Sequence, residues 1–237
     1  MWKRHLGFSI SLALIALLNL LAEALKKLDI RLIVSPLICL LLMIYLASKT
    51  RLYGSFRKLI FVGLIFSLLG DCALFFEDLS RYFFLAGLWA YILCYLAYSL
   101  AFYRDFRSNP QATKKYGHAM LFIAGVFFIS YYTWLQPYLT LDFRFPVTVT
   151  MLSISLMVIL AGYRYHRVNS FSFRMIFWGA VLLALADAVL FYHQFAGLHP
   201  FTDPLIIITY ILAQYLITLG AIERRVANKN RPTKVWI

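Results

Sequence analysis

The chain has 237 residues, of which 62% are hydrophobic, 18% aromatic and only 14% charged, with a mean hydropathy of +0.77. Soluble domains carry about 25% charged residues, so this composition excludes a water-soluble protein and points to one that crosses a membrane several times. A net charge of +13 invites a nucleic-acid reading, but the basic residues are scattered over loops and form no stripe with stacking aromatics, so no nucleic-acid partner is expected.

In chain order the apolar blocks run Leu6 to Ala22, Leu32 to Ala47, Leu59 to Phe76, Tyr82 to Phe102, Ala119 to Gln136, Phe145 to Tyr163, Met175 to Phe195 and Pro204 to Ile222. Each approaches the roughly 20 residues that the hydrocarbon core requires. They predict an all-α polytopic membrane protein of eight transmembrane helices, a single membrane domain over residues 1–237 with no room for a soluble one. Pro36 and Pro146 fall near the starts of the second and sixth blocks, where proline is tolerated. The first block imitates a secretory signal, with Lys3 and Arg4 ahead of it and Ala22-Glu23-Ala24 behind, and is read as an uncleaved first helix.

Basic residues set the expected orientation. Eighteen of the 23 lie on the side of the N-terminus, leaving Lys26, Lys27, Arg31, Arg81 and Arg144 on the other. That asymmetry predicts an even number of spans with both termini cytoplasmic and basic loops held against anionic membrane lipids. Cys39, Cys72 and Cys94 lie inside spans without disulfide or metal spacing, and are expected to be small packing residues. Four of the five histidines, His5, His118, His166 and His199, fall in tails or loops and His193 stands alone near a helix end, so neither a metal nor another cofactor is expected. A Gly-x-Ser-x-Gly elbow is also lacking.

The chain repeats itself. Phe61-Val62-Gly63 and Gly70-Asp71-Cys72-Ala73-Leu74-Phe75 match Phe177-Trp178-Gly179 and Ala186-Asp187-Ala188-Val189-Leu190-Phe191 at a constant offset of 116. Ala90 to Tyr95 then matches Thr209 to Gln214 at an offset of 119. Two four-helix repeats follow, residues 1–116 and 117–237, and four spans per half predict that they are parallel, related by an axis along the membrane normal.

Eight of the ten acidic residues flank the blocks; Asp71 and Asp187 lie inside them. An aspartate at a helix centre costs about 2.5 to 3.5 kcal/mol to insert, more than an interhelical hydrogen bond of about 0.6 kcal/mol returns, so the pair marks function. Lys58 and Arg174 each precede their aspartate by 13 residues, which puts both carboxylates at one depth, about 20 Å along their helices. Ser67 shares the face of Asp71. Tyr210 and Gln214 share a face of the eighth block, and Tyr95 and Tyr98 are three apart in the fourth. These five are the candidate substrate-contacting residues around the catalytic candidates Asp71 and Asp187.

Phe61-Val62-Gly63-Leu64-Ile65-Phe66-Ser67-Leu68-Leu69-Gly70-Asp71, Gly179 to Asp187 and Thr209-Tyr210-Ile211-Leu212-Ala213-Gln214 resemble three ordered motifs of the YhhN-like lysoplasmalogenase membrane proteins. The resemblance implies an eight-span hydrolase that cleaves the vinyl ether of a lysoplasmalogen, releasing a fatty aldehyde and a glycerophospho-alcohol, with the family's paired aspartates at Asp71 and Asp187. Ser35 stands where the family usually has lysine, Tyr95 where it has histidine and Ala186 where it has serine. Vinyl ether hydrolysis needs an acid for the alkene carbon and a water for the resulting cation, the division of labour between two carboxyls in glycoside hydrolysis. Two rival readings remain open: a proton- or cation-coupled transporter using the paired aspartates, and a lipid-binding homologue with altered chemistry.

Overall fold

A computed structural model describes residues 5–25, 28–76, 79–197 and 202–227. The described residues form eight α-helices: α1 (Leu6–Ala24), α2 (Leu28–Thr50), α3 (Ser55–Leu74), α4 (Arg81–Ser108), α5 (Lys115–Leu135), α6 (Leu141–Tyr163), α7 (Ser170–Phe191) and α8 (Thr202–Ile222). A 3-10 turn, Gln136–Tyr138, extends α5 and a π-turn, Tyr192–Ala196, extends α7. Each apolar block read from the sequence falls on one of these helices, the third, fifth and seventh running past the helix end to Phe76, Gln136 and Phe195. Lys3, Arg4, Lys26, Lys27, Glu77, Asp78 and His199 lie outside the described residues, as does the side chain of Ser35.

The two prolines depart from expectation. Pro36 and Pro146 sit inside α2 and α6, beyond the first turn. After Pro146, Thr148 and Thr150 each donate a hydroxyl to the carbonyl four residues earlier, Thr148 to Arg144 at 2.6 Å and Thr150 to Pro146 at 2.9 Å.

Five helices, α4 to α8, are long and apolar enough to cross a membrane. α1 and α2 carry shorter apolar stretches, Leu6–Ala22 and Pro36–Thr50, and α3 carries Arg57, Lys58 and Asp71. The outer surface is apolar: Leu6, Ile10, Leu14 and Leu21 on α1 and Leu121, Phe122, Val126 and Ile129 on α5 are all exposed. Patches of that extent are not carried by soluble monomers, and the chain is a multi-pass integral membrane protein.

Neighbouring helices pack as α2 on α3, α3 on α4, α4 on α6, α6 on α7, α7 on α8 and α8 on α2, which closes a ring of six. α1 lies outside against α2 and α8, and α5 outside against α6. Small residues bring the tightest pairs together. Gly63 faces the Tyr98 ring and Gly70 the Tyr91 ring across an antiparallel α3–α4 contact, while Gly179 meets Ala213 and Ile217 across the corresponding α7–α8 contact. A Cβ at Gly70 would come within 2.7 Å of Tyr91, so glycine there is a condition of the tyrosine's position.

At the end of the bundle where α1 begins and α8 ends, charges are paired rather than merely solvated. Asp105, fully buried, accepts from Arg164 Nε at 2.9 Å and from Arg224 Nε at 2.8 Å. Arg164 also donates to Ser172 Oγ at 3.1 Å, and that hydroxyl to the Gly220 carbonyl at 2.7 Å. Burial draws the Arg164 guanidinium below its ordinary value, and the charge of Asp105 opposes the shift. His5 is no loose tail residue: it is buried, with Nδ1 2.5 Å from the Tyr45 hydroxyl and Nε2 3.0 Å from Glu223 Oε1.

Candidate active site

The interior of the ring is polar because α3 and α7 each place an aspartate there and α2, α4 and α8 supply hydroxyl, amide and thiol donors. Asp71 accepts from three directions. Tyr91 donates to Oδ1 at 2.7 Å, Tyr210 reaches Oδ1 at 2.7 Å and Oδ2 at 2.8 Å, and the Cys39 thiol donates to Oδ2 at 3.1 Å. Behind Tyr210 the network continues. Ser67 Oγ lies 2.6 Å from the Tyr210 hydroxyl and accepts from Gln214 Nε2 at 2.7 Å, and Gln214 Oε1 accepts from Tyr98 at 2.7 Å.

Asp187 is set differently. It is buried, Tyr95 donates to its Oδ1 at 2.8 Å, and its Oδ2 has no hydrogen-bond partner. The two carboxylates are thus joined through α4 rather than to each other. Tyr91 serves Asp71, Tyr95 serves Asp187, and their rings stack with centroids 6.2 Å apart.

The structure therefore gathers all seven candidates into one region. Ser67, Tyr95, Tyr98 and Gln214 are each at most 1% exposed and bonded within the network, so they brace the carboxylates instead of lining an open surface. Two partners escaped the sequence reading. Cys39 is a thiol donor to Asp71 and not only a packing residue. Tyr91 was visible in principle, since it precedes Tyr210 by the repeat offset of 119.

A cavity of about 230 Å³ opens between α5, α6 and α7, walled by apolar side chains such as Met120, Phe127, Met151, Ile154 and Val181, and Asp187 is part of its lining. The α5 stripe that faces it, from Met120 to Tyr131, is about 16 Å long. One ionisable carboxyl with a bare oxygen thus borders a slot whose dimensions suit a single hydrocarbon chain. Buried polar atoms are rarely left without partners, and the residue that carries this one is part of the cavity wall. The arrangement offers what a proton transfer to an apolar substrate needs: a carboxyl oxygen free of protein donors, apolar walls beside the same residue, and a second carboxylate held fixed by three donors.

Residues 30–221 match the model of the YhhN family. The chain is 29% identical over 175 residues to lysoplasmalogenase TMEM86A of Bos taurus and 30% identical over 175 residues to lysoplasmalogenase TMEM86A of Homo sapiens. The aligned region covers 70% of this chain and 66% of each relative. No solved structure matches the chain.

Proposed function

The chain belongs to the YhhN family, and from that premise we propose that it is a membrane hydrolase that cleaves the vinyl ether of a lysoplasmalogen, with Asp187 as the acid and Asp71 as a fixed negative charge. The lysophospholipid substrate is drawn from the surrounding membrane lipids. In the same reading all eight helices cross the bilayer as two parallel four-helix repeats, residues 1–116 and 117–237, with both termini cytoplasmic. The six-helix ring suits that symmetry, since exchanging α2, α3 and α4 with α6, α7 and α8 maps its contacts onto themselves.

The observation that carries the chemistry is Asp187 itself, a buried aspartate in the lining of the apolar cavity whose Oδ2 has no hydrogen-bond partner. With the alkenyl chain in that cavity, the Asp187 carboxyl gives its proton to the alkene carbon beta to the ether oxygen. The π pair forms the new C–H bond, and positive charge spreads over the adjacent carbon and the oxygen. Water adds to that carbon, and its surplus proton returns to the Asp187 carboxylate. The hemiacetal then passes its hydroxyl proton to the glycerol oxygen as the C–O bond breaks, leaving aldehyde and glycerophospho-alcohol.

Asp71 acts without touching substrate. Three donors hold its carboxyl group in place, and its charge stabilises the oxocarbenium ion across the stacked Tyr91 and Tyr95 rings. Tyr95, standing where relatives usually carry histidine, fixes the Asp187 rotamer and leaves Oδ2 free. Hydrolysis is favoured over ion transport because α3 and α7 run unbroken through their aspartates, without the interrupted helices that bind ions in carriers.

Purified protein given lysoplasmenylethanolamine and, separately, its 1-acyl counterpart tests the reading. Free aldehyde is expected from the first and none from the second. Folded protein that leaves the vinyl ether intact would refute the assignment.

A further inference from the structure

Two arginine side chains are described at the end of the bundle opposite the basic loops. Arg81 pairs with Asp142 at 2.9 Å, both side chains 60% exposed. Arg144 is half-buried, has no carboxylate partner among the described residues, and its Nε is buried without a hydrogen-bond acceptor. A buried guanidinium N–H without an acceptor is costly and calls for an explanation.

Its place on α6 supplies one. The α6 side chains that wall the cavity are Met151, Ile154, Ser155 and Val158. Arg144 precedes Met151 by seven residues, two helical turns, and so stands on the same face. Its height follows from two contacts. The Tyr131 hydroxyl donates to the Ala188 carbonyl at 2.5 Å, while the antiparallel α5–α6 pair sets Gly117 against Tyr163 and Met120 against Gly162. Asp187 is therefore level with Thr150 and Met151, and Arg144 lies about 10 Å further along α6, beyond the cavity's end at Met151 and past the buried Val147. In the other direction the cavity runs toward Met120 and Val158 through side chains that are apolar but for Ser155.

On the hydrolase reading above, we propose that Arg144 binds the phosphate of the lysophospholipid, with the single chain extending the opposite way past Asp187 toward Met120. A guanidinium suits a phosphodiester because its planar donors match two phosphate oxygens. The glycerol segment between ether and phosphate, together with the depth of a guanidinium–phosphate contact, covers about the 10 Å that separates Arg144 from the acid. Arg144 thereby sets both the head-group class, a phosphate, and the direction in which the chain enters.

The test uses ligands that cannot be hydrolysed, so that it stands apart from turnover. Binding of 1-O-alkyl-lysophosphoethanolamine and of phosphate-free 1-O-alkylglycerol is measured by intrinsic fluorescence for wild type, Arg144→Gln and Arg144→Lys in detergent. Arg144→Gln is expected to weaken the phosphate ligand at least about tenfold while leaving the alkylglycerol unchanged, and Arg144→Lys to recover part of the loss. Equal loss for both ligands, or no loss for either, overturns the proposal. Turnover of the vinyl ether substrate by wild type, followed separately, reports on the hydrolase reading alone: its failure leaves the binding comparison intact.

Discussion

Tyr91 and Tyr95 stand one turn apart on α4 with stacked rings, yet they donate to different carboxylates, Tyr91 to Asp71 at 2.7 Å and Tyr95 to Asp187 at 2.8 Å. One helix thus serves both halves of the chain and fixes the two acids relative to each other. The consequence is asymmetry: Asp71 keeps two further donors when Tyr91 is removed, whereas Asp187 has no other.

The two phenylalanine variants should therefore differ. Tyr95→Phe removes the donor that orients Asp187 and is expected to lower kcat by about 10- to 100-fold, the worth of one buried hydrogen bond of about 1–3 kcal/mol, with KM little changed. Tyr91→Phe should cost several-fold less, because Tyr210 and Cys39 still hold Asp71. Steady-state kinetics on lysoplasmenylethanolamine check the order; a larger loss for Tyr91→Phe would count against Asp187 as the acid.

Much of this site was legible in the sequence. Asp71 and Asp187 are conspicuous because an aspartate is expensive within an apolar helix, and the 116-residue repeat ties them together. Ser67, Tyr210 and Gln214 follow from helical spacing. Cys39 carries no such signal: it sits in the apolar run of α2, and its contact with Asp71 depends on how α2 packs on α3. By sequence Arg144 is an outer-side charge just before an apolar block starting at Phe145, whereas α6 begins at Leu141. That earlier start puts Arg144 inside the helix, two turns before the cavity residue Met151. The cavity itself arises from three helices distant in sequence, and periodicity within one helix cannot report it.

The cavity walls should set chain length. Ala124 and Ala184 both line the slot, and a bulky side chain at either position fills space that the alkenyl chain needs. Ala184→Phe is expected to shift the preferred substrate toward shorter chains, measured as kcat/KM across a series of lysoplasmenyl lipids, with the shortest least affected. An unchanged length profile in folded protein would place the chain elsewhere.

The α3–α4 contact should tolerate no extra methyl group. A Cβ at Gly63 would run into the Tyr98 ring, whose hydroxyl anchors Gln214. Gly63→Ala is expected to cost about 1–3 kcal/mol in overpacking and to lower the unfolding temperature in detergent. Gly125→Ala serves as the control, since nothing lies within 4 Å of a Cβ there.

The buried ion cluster should matter for stability and not for chemistry. Asp105→Asn leaves the buried guanidinium of Arg164 without its countercharge, a change worth about 3–5 kcal/mol. Thermal unfolding should drop sharply, while kcat of the protein that remains folded, measured at low temperature, stays near wild type.

The central claim is that Asp187 protonates carbon. Turnover of lysoplasmenylethanolamine in D2O, with the aldehyde trapped as it forms, reads that step directly. Wild type should yield aldehyde bearing one solvent deuterium on the carbon next to the carbonyl, and Asp187→Asn, folded as judged by its unfolding temperature, should yield none. Aldehyde without solvent deuterium, or undiminished product from Asp187→Asn, would contradict it.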